Sequence, residues 1–593
     1  MAVIALPLAA MGLMTILSHR LRPSVGRWIG VTAVGLAASG LVALFSYVGE
    51  LPSVGLEWLP GTGQIGLALT YSGLIVASTT VLAAFFVQLG TLSGEKRPRS
   101  LSDALTLLAL VAAILAFLVD HFLARYVALE IVALCVALVA LVELRDENGV
   151  RTAWRNYLLL RLGDVGLLTA ILILGDAGGT LNIDGALAAG VELDGARLTW
   201  VVLGIILVTW VKLGGWPFHI WVRTGNRLSL ASHTWMYATL MSNLGIYLLY
   251  RTVPILREVD SLAAVALWLG AGGALVGGLL TVMQDLPRRG LVYVGASLCG
   301  LLLFTAAVGP RSAVWLALVV LTPVRLLLYL ASDAAQKTKS APWHKALAAL
   351  FGLGGGALIA FGLLIAWWTR AAGPVVGRFL IDFSIAALAA WTVRMTWRLF
   401  RSPSEEGEGV GWDRGVVLAV LAAGILVGGV GFGPVVRTLS AVEVVKLPGL
   451  PSLGALLEYV ATTPAFLLSF LMLLILFWSR GRIERASVSL RSPKGEDLQG
   501  VLIRLSRGVW VVVEVNIVER IVAFVPQAVI NGARFLYRFV EQEGLEGLVR
   551  RAVRGVLSVS RALQRWHTGK LRHNLAWAPL VLLLAVLLLV VLG

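Results

Sequence analysis

Hydrophobic residues in this chain are gathered into long, nearly unbroken runs joined by shorter polar connections. A helix needs roughly 20 apolar residues to cross about 30 Å of hydrocarbon, and about sixteen such runs are readable. They cover 1–17, 28–48, 67–89, 104–119, 126–142, 156–174, 198–213, 231–249, 263–283, 290–308, 313–330, 346–368, 379–395, 416–432, 465–478 and 575–592. The predicted class is an all-α polytopic membrane protein. Helix breakers at Gly214, Gly215 and Pro217 interrupt one run, so broken helices are expected within the bundle. The first run is followed, not preceded, by its basic residues His19, Arg20, Arg22 and Arg27, and it reads as a retained helix, not a cleaved signal.

One stretch departs from this pattern. From 501 to 566 apolar residues recur at helical spacing, first Val511, Val515, Val518 and Val522, then Leu545, Leu548, Ala552, Val556, Val559 and Leu563. Arg550, Arg554, Arg561 and Arg565 oppose them, and Pro526 and Gly544 mark breaks. Such a helix lies flat at an interface, with its arginines toward lipid phosphates or toward a neighbouring subunit. Three regions follow: a transmembrane bundle over 1–478, a lateral amphipathic helix over 479–574 and a terminal anchor over 575–593.

Composition narrows the class. Of 593 residues, 58% are hydrophobic and 14% charged, against about 25% charged in soluble domains; a soluble enzyme is excluded. The net charge of +16 comes without a long polar tract to bear a nucleic-acid surface, so the basic residues orient the chain in its membrane. Loops with Arg223, Arg227, Arg288, Arg289, Lys337, Lys339 and Lys345 are placed in the cytoplasm, and those with Glu50, Glu57, Asp176, Asp184, Glu192 and Asp194 outside. The loop at 402–414 is acidic, against this trend, as are Arg370 and Arg378 on the outer side. Cys135 and Cys299 are isolated in apolar runs, which argues against zinc, iron–sulfur and disulfide chemistry.

Ionisable residues at membrane depth are the candidate chemistry, because each is costly there. Glu130 and Lys212 sit amid apolar residues and are expected to approach each other, as a proton relay or as a static ion pair locking two helices. His219 and His233, beyond the break after Lys212, are either proton carriers or hydrogen-bonded cap residues. Asp164 has Arg161 nearly one turn before it, a spacing that suggests a structural pair. Arg325, mid-run after Pro323, keeps its proton and stabilises an anion or a water chain; Asp333, two turns along the same helix, is a candidate partner, though eight residues is long for direct contact.

These segments resemble the antiporter-like membrane subunits of respiratory complex I and their relatives, most of all the largest, distal subunit. "DHFLARYVALEIVALC", "YLLLRLGDVGLL" and "VKLGGWPFHIW" carry the likeness at Glu130, Asp164 and Lys212, followed by "MSNLGIYLLYR", "QDLPRRGLVYVGAS", "RLLLYLASD" and the closing "LQRWHTGKLRHNLAW". "PFHIW" is also similar to multisubunit sodium/proton antiporters. The resemblance implies a proton- or sodium-translocating subunit of a complex-I-like NADH:quinone oxidoreductase in the cell membrane. It would associate with other membrane subunits and lipids, hold its lateral helix on the cytoplasmic side, and carry no redox cofactor or electron-transfer site. It also implies relay roles for Glu130, Asp164 and Lys212, and the candidate relay as read from the residues runs on through His219, His233, Tyr237, Arg325 and Arg378. Three positions depart from the family: Tyr237 stands where a histidine is expected, Arg325 where a lysine or histidine is, and Arg378 where a lysine is. Those departures open two other roles, the membrane half of a CO2/bicarbonate uptake complex driven by proton flow, and a scaffold that no longer transports.

Overall fold

The computed structural model describes residues 2–16, 23–48, 56–57, 64–93, 100–144, 147–193, 195–338, 341–401, 410–430 and 451–463, with single positions at 449, 467 and 558. The chain divides into two compact units, Met1–Trp510 and Val511–Gly593, and every described residue except Ser558 belongs to the first. The expected lateral helix, the anchor and most of the span 465–478 lie outside the described residues, as do the proposed boundaries at 478 and 574.

The bundle opens with α1 (Ala2–Ile16) and α2 (Pro23–Ala43), then a 3-10 turn and a two-residue antiparallel pair, β1 (Leu56–Glu57) with β2 (Gln64–Ile65), in which Leu56 faces Ile65. Next come α3 (Tyr71–Leu89), α4 (Ser100–Leu118), α5 (Phe122–Leu144), α6 (Glu147–Gly178), the short α7 (Ile183–Val191) and α8 (Gly195–Lys212). The chain breaks there and resumes as α9 (Ile220–Thr224) and α10 (Leu230–Ser232), a π-helical stretch (His233–Leu240) and α11 (Met241–Arg257). The second half holds α12 (Asp260–Val282), α13 (Pro287–Val308), α14 (Arg311–Lys337), α15 (Ala341–Thr369), α16 (Val375–Arg401), α17 (Trp412–Val430) and α18 (Leu453–Thr462). Among the described residues twelve helices are long and apolar enough to cross a membrane. Every expected span from 1–17 to 416–432 falls mostly on helix over its described residues; α7, α9 and α18 are additional.

Local chemistry sets many helix starts. Thr70, Asn182, Ser229 and Ser452 each accept a backbone N–H at 3.1–3.2 Å as N-caps, and Pro287 opens α13 where its missing N–H costs nothing. Backbone bridges Leu67↔Val119 and His121↔Asn182 gather the connections before α3, between α4 and α5, and before α7 at one end of the bundle. The other end holds Ser102, Glu143, Leu228 and Arg288, joined by hydrogen bonds. Acidic Asp184 thus belongs to the first end and basic Arg288 to the second, the partition that the charge pattern requires.

In lipid, apolar burial gives helices little reason to associate, so close packing of small residues matters more. Gly166 on α6 and Gly204 on α8 supply the closest such contact near the charged residues. A Cβ at Gly204 would lie 2.3 Å from the Gly166 carbonyl oxygen, and one at Gly166 2.9 Å from that of Gly204. Between α12 and α13 the same device recurs, where a Cβ at Gly300 would meet Ala274 N at 2.2 Å. Gly204→Ala must therefore push α6 and α8 apart, at about 1–3 kcal/mol by analogy with overpacked cores. A lowered unfolding temperature of the detergent-purified protein is expected, whereas an unchanged one would show that the contact tolerates a methyl group.

Candidate functional site

Lys212 is the last residue of α8 and is fully enclosed; its Nζ lies 2.7 Å from Asp164 Oδ1 on α6, whose side chain is equally buried. The helix ends here because Gly214 adopts a left-handed φ of +69°, where a Cβ would also meet Val222 at 2.8 Å. Ending a helix inside a bundle leaves carbonyls without helical partners. Backbone N–H groups of the break take some of them up, Gly214 N donating to the Val211 carbonyl and Gly215 N to that of Trp210. The Trp221 indole also donates to the Val211 carbonyl and the Trp210 indole to the Trp216 carbonyl within the break, both at 2.9 Å. His219, the cap of α9, is buried with its ring 4.9 Å from that of Tyr293.

The pairing differs from the one the sequence suggests. Glu130 on α5 forms an ion pair with Arg161, not with Lys212, and Asp164 is engaged by Lys212, not by Arg161. The reason is geometric. Arg161 and Asp164 are three residues apart on α6, which packs against both α5 and α8, so one helix presents its cation to α5 and its carboxylate to α8. Glu130 itself lies on an uninterrupted helix and not on a broken one. The outcome is two ion pairs anchored on one turn of α6, with the Lys212–Asp164 pair screened from solvent.

The π-helical stretch carries the next two candidates. π-Helical turns inside α-helices occur often at functional sites, and here Thr239 Oγ1 closes one by donating to the Thr234 carbonyl at 2.7 Å. His233 is fully buried, with Arg288 Nη2 3.2 Å from its Nδ1. A guanidinium only donates, so Nδ1 accepts and the ring is neutral, with its proton on Nε2. Tyr237 donates to the Val136 carbonyl at 2.7 Å and accepts from Asn156 at 3.1 Å, and Asn156 also reaches Thr224. The tyrosine thereby ties α5, α6 and α9 together where the family pattern predicts a titratable histidine.

Glu143, Asn156, Asp382 and Tyr459 were not singled out from sequence. Glu143 stands beside a charged loop and reads as solvated, yet its carboxylate accepts from Ser102 Oγ at 2.7 Å, Ser229 N at 2.7 Å, Ser229 Oγ at 3.0 Å and Ser232 Oγ at 2.6 Å. It clasps the start of α4 to the corner that leads into His233. Asp382, on α16, is buried and accepts from Tyr459 of α18 at 3.1 Å. Only its place within an apolar run, one turn after Arg378, could have flagged it.

Arg325 is buried on α14, and its candidate pairing with Asp333 does not form. Asp333 is held instead by Lys337, one turn on, at 2.9 Å and by Arg414 of α17 at 3.1 Å. Eight residues of helix separate Arg325 from Asp333 by about 12 Å at 1.5 Å per residue, too far for contact. Arg378 lies half-buried near the start of α16 and donates to the Arg370 carbonyl. A cavity of ≈ 30 Å³ connects the two halves of the site, with Leu213 and Gly214 from the break on one side and Arg325 and Tyr329 on the other.

Comparison with known proteins follows this geometry. Residues 119–402 match the family described as "NADH:quinone oxidoreductase/Mrp antiporter, TM". The chain is 27% identical over 351 residues to NADH-quinone oxidoreductase subunit L of Escherichia coli (strain K12), covering 56% of this chain and 56% of that protein. It is 24% identical over 211 residues to the chloroplastic NAD(P)H-quinone oxidoreductase subunit 5 of Zygnema circumcarinatum, covering 35% of this chain and 30% of that one. The matched part thus spans between about a third and just over half the length of these relatives. In fold it is similar to a chain of the Mrp complex from Dietzia sp. DQ12-45-1b, with a TM-score of 0.68 at 19% identity, covering 94% of this chain and 63% of that one.

Two outcomes follow from the buried pair and the serine clasp. Removing one partner of a buried ion pair costs about 3–5 kcal/mol, while replacing both by apolar groups of similar volume is near neutral. Asp164→Leu should accordingly lower the unfolding temperature sharply, and Asp164→Leu with Lys212→Met should recover most of the loss; equal losses in both variants would mean that the pair is not coupled. Glu143→Gln puts an amide donor among donors and should cost about 1–3 kcal/mol, read in the same thermal assay.

Proposed function

This chain is a homologue of the antiporter-like membrane subunits of NADH:quinone oxidoreductase and of Mrp antiporters, and from that premise we propose that it translocates protons, or sodium ions, as one subunit of a larger membrane complex. The observation that carries the reading is the Lys212–Asp164 pair, fully buried at the end of a broken helix. A lysine and a carboxylate in contact in low dielectric share a proton readily, since transferring it converts two buried charges into two neutral groups. The Glu130–Arg161 pair on the neighbouring turn of α6 sets the field in which that transfer occurs. Glu130 is the second carboxylate of the relay, held by Arg161, which keeps its charge.

Beyond Lys212, His219 and His233 continue the series of titratable groups, and Tyr237 passes a proton through its hydroxyl or holds the helices in register. Arg325 and Arg378 take no part in proton hopping, because a guanidinium does not release its proton. The first half of the bundle is thus the conducting half. Redox or other driving chemistry belongs to partner subunits, and lipids surround the exposed apolar faces of the bundle. By the basic-loop rule the Arg288 end faces the cytoplasm.

The test is proton flux in vesicles reconstituted with the full complex, followed with a pH-sensitive dye. Lys212→Met is expected to abolish coupled flux while the complex still assembles, and Arg378→Ala to leave it within about twofold. Wild-type flux from Lys212→Met would remove the lysine from the pathway.

A further inference from the structure

Arg325 presents a charge problem that the chain itself does not solve. It is buried on α14, arginine does not neutralise itself by losing a proton, and its Nη1 has no hydrogen-bond partner among the described residues. No ion pair to Arg325 forms among the described residues: Asp164 is paired with Lys212, and Asp333, two turns along α14, with Lys337 and Arg414. A second guanidinium adds to the same field, because Arg288 binds His233, whose ring stands 4.9 Å from that of Tyr329, one turn after Arg325. Uncompensated charges at membrane depth are rare because they require a counter-ion or water.

The ≈ 30 Å³ cavity lies directly against this residue, lined by Arg325, Tyr329, Ser242, Leu213, Gly214 and Gly295 among others. That volume is on the order of two water molecules by the same measure, which suits a halide-sized ion. Its wall is otherwise largely apolar, so it offers the guanidinium few neutral dipoles and no negative charge. Lys212 on the residue before the lining segment already has its own carboxylate and places no demand on the cavity. We propose that this cavity is a binding site for a small monovalent anion, held by the Arg325 guanidinium and by the hydroxyls of Ser242 and Tyr329. The anion completes the charge balance of the second half of the bundle, as Asp164 does for Lys212 in the first. The inference does not rest on ion transport by this chain, since it concerns binding alone.

Binding is tested on the detergent-purified full chain by chloride-NMR line broadening and by thermal unfolding in chloride, bromide, hydrogencarbonate or gluconate at constant ionic strength. The expected result is a saturable rise of the unfolding temperature by a few degrees in chloride and bromide but not in bulky gluconate, lost in Arg325→Met. A matching Arg325-dependent rise in hydrogencarbonate identifies that ion as an alternative occupant of the same site. Gly295→Leu keeps the arginine and fills the space, because a Cβ there meets nothing within 4 Å; it should abolish both the shift and the line broadening. No anion dependence in the wild type, or the same dependence in both variants, overturns the proposal.

Discussion

The cost of holding charge in a low-dielectric interior governs the arrangement of this bundle. Lys212 and Asp164 are both enclosed, and each is tolerable only because the other is 2.7 Å away. Their approach depends on α6 and α8 lying close, which the Gly166–Gly204 contact permits. It depends equally on α8 ending at Lys212, which Gly214 allows and which Trp210 and Trp221 stabilise by capturing carbonyls. Small residues, a left-handed glycine and two indoles are thus all parts of one solution to one electrostatic demand.

The same demand is met differently in the two halves. Around Lys212 the compensating charges are side chains of the bundle, arranged as two ion pairs on one turn of α6. Around Arg325 the cation is permanent, and the carboxylate two turns along its helix, Asp333, is out of reach and paired with Lys337 and Arg414. The two environments meet at a common cavity. One half thus balances its buried lysine with a carboxylate of the bundle, and the other holds a permanent cation beside a cavity. That asymmetry distinguishes the protein from an arrangement in which titratable groups repeat evenly along the membrane.

The far end of each half is organised by polar clasps more than by apolar packing. Glu143 gathers three serines at the corner before the π-helical stretch, and Tyr237 links three helices through Asn156, Thr224 and the Val136 carbonyl. These contacts fix where His233 sits, and the Arg288 donor then fixes which of its nitrogens carries the proton. Positioning of the titratable groups is therefore inherited from polar networks in which hydroxyls and an amide gather around Glu143 and Tyr237.

Membrane residence, the break after Lys212 and the burial of Asp164, Lys212, His219, His233 and Arg325 were legible in the amino-acid sequence. Each depends on local properties: length of an apolar run, glycine and proline at one point, or a charge where lipid forbids it. Which charges pair was not legible. Asp164 is three residues from Arg161 but bonds Lys212, forty-eight positions away, and Arg325 fails to reach Asp333 on its own helix. Glu143 and Asp382 escaped notice for the same reason, since their partners Ser229 and Tyr459 come from distant segments. Helical spacing specifies the direction in which a side chain leaves its own axis, but the neighbour it meets is set by helix packing. In this protein that packing is decided by glycine contacts between helices, and only the tertiary structure shows which faces they bring together.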